Sequence, residues 1–173
     1  MSGDLARRAG LAGPKVRASV VKSGTFSLAA RDITHPEITL QASRAAFQIS
    51  GMGPDDFDVV ELHDAFSIAE LLYYEELGLC DEGDAVGLLR SGASSSLEAG
   101  SGVLVNPSGG LIGRGHPIGA TGVAQIVELT SQLNGTAGAR QREGAAAGMA
   151  HVTGGGASGF DNGACVVTIL TVD

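Results

Sequence analysis

Between Glu37 and Ser50 the residues Ile38, Ala42, Ala45, Ala46 and Ile49 recur at the spacing of one helix face, and Gly51 supplies a stop signal. The run Val59 to Leu62 predicts a short buried strand that delivers His63 and Asp64 at its C-terminal end. Ala65 to Leu77 predicts a helix with Ala65, Ile68, Ala69 and Leu72 on its packed face and Gly78 as its stop. Nearer the start, Asp4 to Gly10 reads as a short helical segment, and the alternating, β-branched Lys15 to Lys22 as a strand. A glycine-rich loop from Asn106 to Gly119 leads into a helix of about 15 residues, with Val123, Ile126, Val127 and Leu133 as its expected buried stripe. Asn134 and Gly135 close it. Ala145 to Thr153 and Cys165 to Val172 predict two final strands joined by a glycine-rich loop. The small, polar stretch Ser91 to Gly102 predicts a mobile surface loop.

Strands alternating with helices, then two adjacent strands, predict an α/β layered domain whose last strand pair is antiparallel. No internal repeat or dividing linker interrupts residues 1–173, so one domain is expected. A chain that is 43% hydrophobic and 17% charged is an ordinary globule. Its net charge of −8, with no Lys/Arg cluster, speaks against nucleic acid or an anionic membrane as the main partner. No apolar stretch approaches the ~20 residues of a membrane span, and Met1 to Arg8 lacks a signal-peptide core, so the cytoplasm is the expected location. Cys80 and Cys165 have neither the spacing nor the neighbouring histidine of a metal site, and no structural disulfide is expected.

Candidate chemistry concentrates where glycine does. Gly109, Gly110, Gly113, Gly115, Gly119 and Gly122 surround His116, and Gly154, Gly155, Gly156 and Gly159 follow His151. A glycine loop entering a helix offers free N–H groups and a positive dipole end, suited to a carbonyl oxygen or an anion. By itself such a histidine is about as readily a loop-closing residue as a reactive one. His63 is assigned to the site and Asp64 to the N-cap of the helix that follows it. Tyr73 and Tyr74 are read as packing residues, and His35, before Pro36, as a surface turn residue.

The segment NPSGGLIGRGHPIGATG, residues 106–122, resembles the thiolase signature around its active-site Gly-His-Pro. VVELHDAF, residues 59–66, resembles the His-Asp-x-Phe element that sterol-carrier-type thiolases carry where other thiolases have Asn-Glu-Ala-Phe. The likeness runs on through YYEELGLCDEG and ACVVTIL, covering residues 37–171. The chain is thereby identified with the C-terminal half of the thiolase superfamily, which includes thiolase-like acyl-CoA aldolases. The resemblance implies that His116 sits beside a thioester or keto oxygen, activates a nucleophilic cysteine and stabilises the oxyanion. It implies that His63 helps to form a second oxyanion site, and that Asn106, Gly115 and Gly155 order the loops. The substrate implied is a coenzyme A thioester, with no tightly bound cofactor and no metal.

Three departures from the family shape the expectation. The acyl-accepting cysteine of thiolases belongs to the N-terminal half, so a second chain carrying that half is expected to complete the site. The Cys-x-Gly-Gly-Gly loop of many thiolases reads here as His151 to Gly156, and the alternative cysteine position in the His-Asp element is Ala65. His151 is therefore a candidate acid/base substitute, while Cys80 and Cys165 read as packing residues. A thiolase half also normally opens with an Asp-Gly-Ala-Ala strand in the middle of the sheet, and this chain begins after it, so the expectation is either that a partner fills an interior gap or that the chain is a truncated product. The expected activity is carbon–carbon cleavage or formation at an acyl-CoA. The alternatives are retro-aldol cleavage of a 3-hydroxyacyl-CoA with an OB-fold partner, and a non-catalytic acyl-CoA-binding or scaffolding subunit.

Overall fold

The computed structural model describes residues 1–24, 32, 34–155 and 163–172. The chain order is α1 (Gly3–Arg8), β1 (Lys15–Ser23), α2 (Glu37–Ser50), β2 (Val59–Glu61), α3 (Ser67–Glu76), α4 (Ala85–Ser91), β3 (Leu104–Val105), α5 (Gly110–Arg114), α6 (Thr121–Leu133), β4 (Ala147–Gly154) and β5 (Ala164–Thr171). The five strands form one sheet in the order β1-β5-β4-β2-β3. Strands β2, β3 and β4 are parallel, and β5 runs antiparallel to both its neighbours, β4 and β1. The layered α/β class and the antiparallel final pair are as the sequence predicts.

Each face of the sheet is built by a helix. Ile38, Ala42 and Ala46 of α2 pack with Ala18 and Val20 of β1 and Val167 and Ile169 of β5. Small alanines let the helix approach the sheet closely, and Gly51, at φ 71°, ends it with its N–H bonded to the Phe47 carbonyl. On the opposite face Leu129 and Leu133 of α6 cover Val59, Leu104, Ala150 and Leu170. Gly148 is required there, because a Cβ would lie 2.9 Å from Leu129 Cδ2.

Several expectations are corrected. The strands pair in unbroken order, with β1 on an edge along β5, so the described sheet contains no interior gap for a donated strand. Helix α3 buries Tyr73, Tyr74 and the following Leu77, while Ile68 is 60% exposed, because the helix turns its aromatic side to the core. Helix α6 buries Gln125, Glu128, Leu129, Gln132 and Leu133, whereas Val123 and Val127 are 64% and 58% exposed. The polar residues face inward because backbone groups await them there. Gln125 donates to the His151 carbonyl, Gln132 donates to the Arg140 carbonyl, and Gln132 Oε1 accepts from the Arg142 amide. Helix α4 and the two-residue β3 have too little periodicity to be legible.

The supposedly mobile stretch Ser91 to Gly102 includes a 3-10 turn over Ala93–Ser95 and is pinned from below. Arg142, 1% exposed, donates Nη1 to the Ser96 carbonyl at 2.8 Å and to Ser101 Oγ at 2.7 Å, and Nη2 to the Gly102 carbonyl. Composition alone conceals such a clamp, since its cation lies about 40 residues further along the chain. Arg142→Met removes the donors and leaves those three half-buried oxygens without their partner. We expect a loss of about 3 kcal/mol in urea unfolding, with faster amide exchange over residues 96–102.

Candidate functional site

The site grows from the end of β2. Val59, Val60 and Glu61 are fully buried, and the chain continues as Leu62, His63 and Asp64 beneath the glycine-rich loop. Backbone and side chains of this segment hold the loop at three points. Leu62 N–H donates to Asn106 Oδ1, and Asn106 N–H donates to the Val60 carbonyl, both at 2.8 Å. Glu61 accepts from the Ser108 amide at 3.0 Å and from the Ser108 hydroxyl at 2.7 Å. Asp64 accepts from the Leu111 amide at 2.6 Å and from the Ile112 amide at 3.4 Å. Asp64 thus caps α5 across the site, not α3, whose N-cap residue Phe66 makes no side-chain bond. A Cβ on Gly110 would lie 2.1 Å from Asp64 Oδ2, so the second glycine of the loop is sterically required.

Helix α5 ends at Gly115, whose φ of 86° turns the chain into His116. The imidazoles of His116 and His63 meet edge to face, 88° apart, with centroids separated by 4.9 Å. His116 is exposed, whereas His63 is buried and its Nδ1 has no hydrogen-bond partner. Burial pushes His63 down to about 4, aided by its electrostatic interactions with His116 and Arg114. His116 Nδ1 lies 2.7 Å from Thr121 Oγ1, and that hydroxyl donates to the Pro117 carbonyl at 3.1 Å. With its proton committed, Thr121 accepts from Nδ1–H, so neutral His116 carries its lone pair on Nε2. Such an imidazole can take a proton at Nε2 and then present it to an oxygen.

His151 lies below this pair. Its ring is fully buried, edge-on to Tyr73 at 4.5 Å, with Nε2 3.0 Å from Thr39 Oγ1 and Nδ1 3.5 Å from the His63 amide. Both nitrogens are engaged, and burial holds the ring down at about 3. The ring thus lies beneath the His63 backbone, away from the surface. Gly155, at φ 70°, directly follows β4, and the rest of the loop through residue 162 lies outside the described residues. Among the described residues no three His, Cys, Asp or Glu side chains could share a metal ion.

The sequence reading overlooked Glu61, Ser108, Arg114, Thr39 and Thr121. Glu61 reads as the polar interruption of a strand, yet it is a fully buried carboxylate bonded to the loop at Ser108. Burial lifts it to about 7, opposed by the Ser108 hydrogen bonds and by Arg114. Its one legible signal was a charged residue inside an apolar run, which is rare unless the charge is paired.

Residues 20–167 match the family described as thiolase C-terminal domain-like. Benzoylsuccinyl-CoA thiolase subunit BbsB of Thauera aromatica is 43% identical over 90% of this chain and 40% of its own length. An acetyl-CoA acetyltransferase of Methanothermobacter thermautotrophicus is 46% identical over 81% of this chain and 36% of its own. Sterol carrier protein 2 of Rattus norvegicus is 48% identical over 77% of this chain and 23% of its own. The chain therefore spans two fifths or less of these relatives. In fold it is similar to an Ltp2-ChsH2(DUF35) aldolase, with a TM-score of 0.74 and 22% identity over 91% of this chain and 39% of that one.

The buried groups give opposite pH dependences. His63 and His151 are neutral in the fold but take protons near 6.5 once unfolded, so their contribution is present above pH 6.5 and is lost as pH falls toward 4. Glu61 contributes fully below about 4.5 and loses that contribution as pH rises through about 7. We expect Glu61→Gln to make the loss of stability between pH 6.5 and 4.5 steeper than in the parent, read from urea midpoints.

Proposed function

Since the chain belongs to the thiolase C-terminal domain-like family, we propose that it contributes His116 and His63 to a composite site for carbon–carbon cleavage or formation at a coenzyme A thioester. The observation that carries this reading is the edge-to-face pair of imidazoles, one exposed with its Nε2 lone pair free and one buried with an unpartnered Nδ1. His116 Nε2 takes the proton of a nucleophilic thiol and then, as imidazolium, donates to the thioester oxygen as negative charge develops. His63 offers a hydrogen-bonding position for the water or side chain that completes the second oxyanion site. Asn106 and Gly115 order the loop that brings the two rings together.

The thiol comes from elsewhere. Cys80 and Cys165 are the two cysteines of the sequence, and burial pushes their thiols up to about 11 and about 12, so neither offers a thiolate near neutrality. A second chain carrying the N-terminal thiolase half supplies it in this reading. The face of α6 supports such a partner. Exposed Val123 lines a groove of about 280 Å³ with Ile126, Ala150, Val152 and Val166, and Val127 is exposed on the same helix, an apolar surface of the kind that a partner covers.

The cysteine-free positions Ala65 and His151 favour a second reading, retro-aldol cleavage of a 3-hydroxyacyl-CoA with an OB-fold partner, which needs no thiol. Coenzyme A-dependent consumption of a 3-ketoacyl-CoA supports the first reading, and release of a carbonyl product from a 3-hydroxyacyl-CoA the second. Activity in neither assay leaves a binding subunit.

In the assembled protein His116→Ala should lower turnover by about 10²–10³-fold, the usual effect of losing an oxyanion donor. Undiminished turnover ends the assignment. A Val123→Asp, Val127→Asp double variant should weaken assembly with the complementary half, measured by analytical ultracentrifugation, while leaving the chain's own thermal unfolding nearly unchanged.

A further inference from the structure

Beneath the loop sits a carboxylate that the mechanism above does not use. Glu61 is 0% exposed, and a buried carboxylate is costly and contributes little net stability even when paired. Both of its oxygens are directed at one residue, with Oε1 accepting from the Ser108 amide and Oε2 from the Ser108 hydroxyl. Having donated its proton, that hydroxyl accepts from Arg114 Nε at 3.1 Å and from the Gly110 amide at 3.3 Å. Arg114 then returns toward the start of the chain of contacts, since its Nη2 has no hydrogen-bond partner and lies 3.9 Å from Glu61 Oε2.

The contacts close a ring through both ends of α5. Gly110 begins that helix and Arg114 ends it, two residues before His116. Asp64 holds the first turn separately, so its grip does not fix the direction in which the last turn leaves. We propose that Glu61 is a positioning residue for His116, acting through Ser108 and Arg114 to set how α5 hands the chain to the reactive imidazole. The proposal rests on the reading of His116 as the proton-transferring group.

In the complex with the complementary half, Glu61→Gln and Ser108→Ala should each lower kcat by about tenfold or more while leaving KM within about twofold. The double variant should lose no more than the worse single, because the two residues act as one unit. Ser108→Thr, which keeps the hydroxyl, should recover most of the loss. In the chain itself the His116 ring protons, shifted by the perpendicular His63 ring, should move toward their free values in NMR spectra of both single variants. Unmoved His116 resonances, multiplicative losses in the double variant, or a loss confined to KM overturn the proposal. Where Glu61→Gln fails to fold, Arg114→Met at the outer end of the ring takes its place in the same comparison. His116→Ala measured alongside separates the two readings: full turnover there defeats the functional assignment, while the NMR comparison still decides the role of Glu61.

Discussion

Everything at the candidate site depends on a few buried carboxylate oxygens at the end of β2. Asp64 holds the first amides of α5, and Glu61 holds Ser108 just before them. The free N–H groups at a helix start are strong donors in need of an acceptor, and a short helix of five residues has little cohesion of its own. Satisfying those donors from the neighbouring strand fixes the helix against the sheet. It also forces glycine at position 110, where the Asp64 carboxylate occupies the space of a side chain. Through Gly115 the chain then leaves in the one direction that brings the ring of His116 against that of His63.

Below the rings lies a polar layer that is unusual for a core. Thr39 holds His151, His151 meets the backbone of His63, and Gln125 of α6 holds the His151 carbonyl. One helix from each face of the sheet therefore reaches the support of the same histidine. The layer keeps its histidines neutral by burial, so the buried floor of the site carries no positive charge near neutrality. Above that floor the Arg114 guanidinium carries the positive charge.

Helix α6 joins these two features to the outside. Its first residue, Thr121, sets the tautomer of His116, and its inward polar side chains tie β4 and the turn at Arg140 to Arg142. The cost of facing those groups inward is that Val123 and Val127 face out. The same rotation of the helix thus serves the imidazole and leaves an apolar surface beside it.

Much of this was legible in the order of residues alone. Helix α2 follows a clean period with a glycine stop, β1, β4 and β5 are strands of ordinary length and composition, and the two histidines stand in distinctive surroundings. Local pattern finds these elements, although on α2 the expected Ile49 is 65% exposed while Thr39 and Ser43 are buried in its place. It failed where burial was decided by hydrogen bonding instead of hydrophobicity. The α6 valines suggest a buried stripe, but backbone groups draw the glutamines inward instead. By residue type Asp64 suits the helix that follows it in sequence, but the amides it accepts from belong to a helix about 47 residues away. Residues 91–102 looked mobile until Arg142 arrived beneath them. The sequence by itself determined which elements form and which residues could do chemistry. Only the tertiary structure decided which polar groups face each other, because a buried donor is satisfied by whatever acceptor the fold brings near and not by its neighbour along the chain.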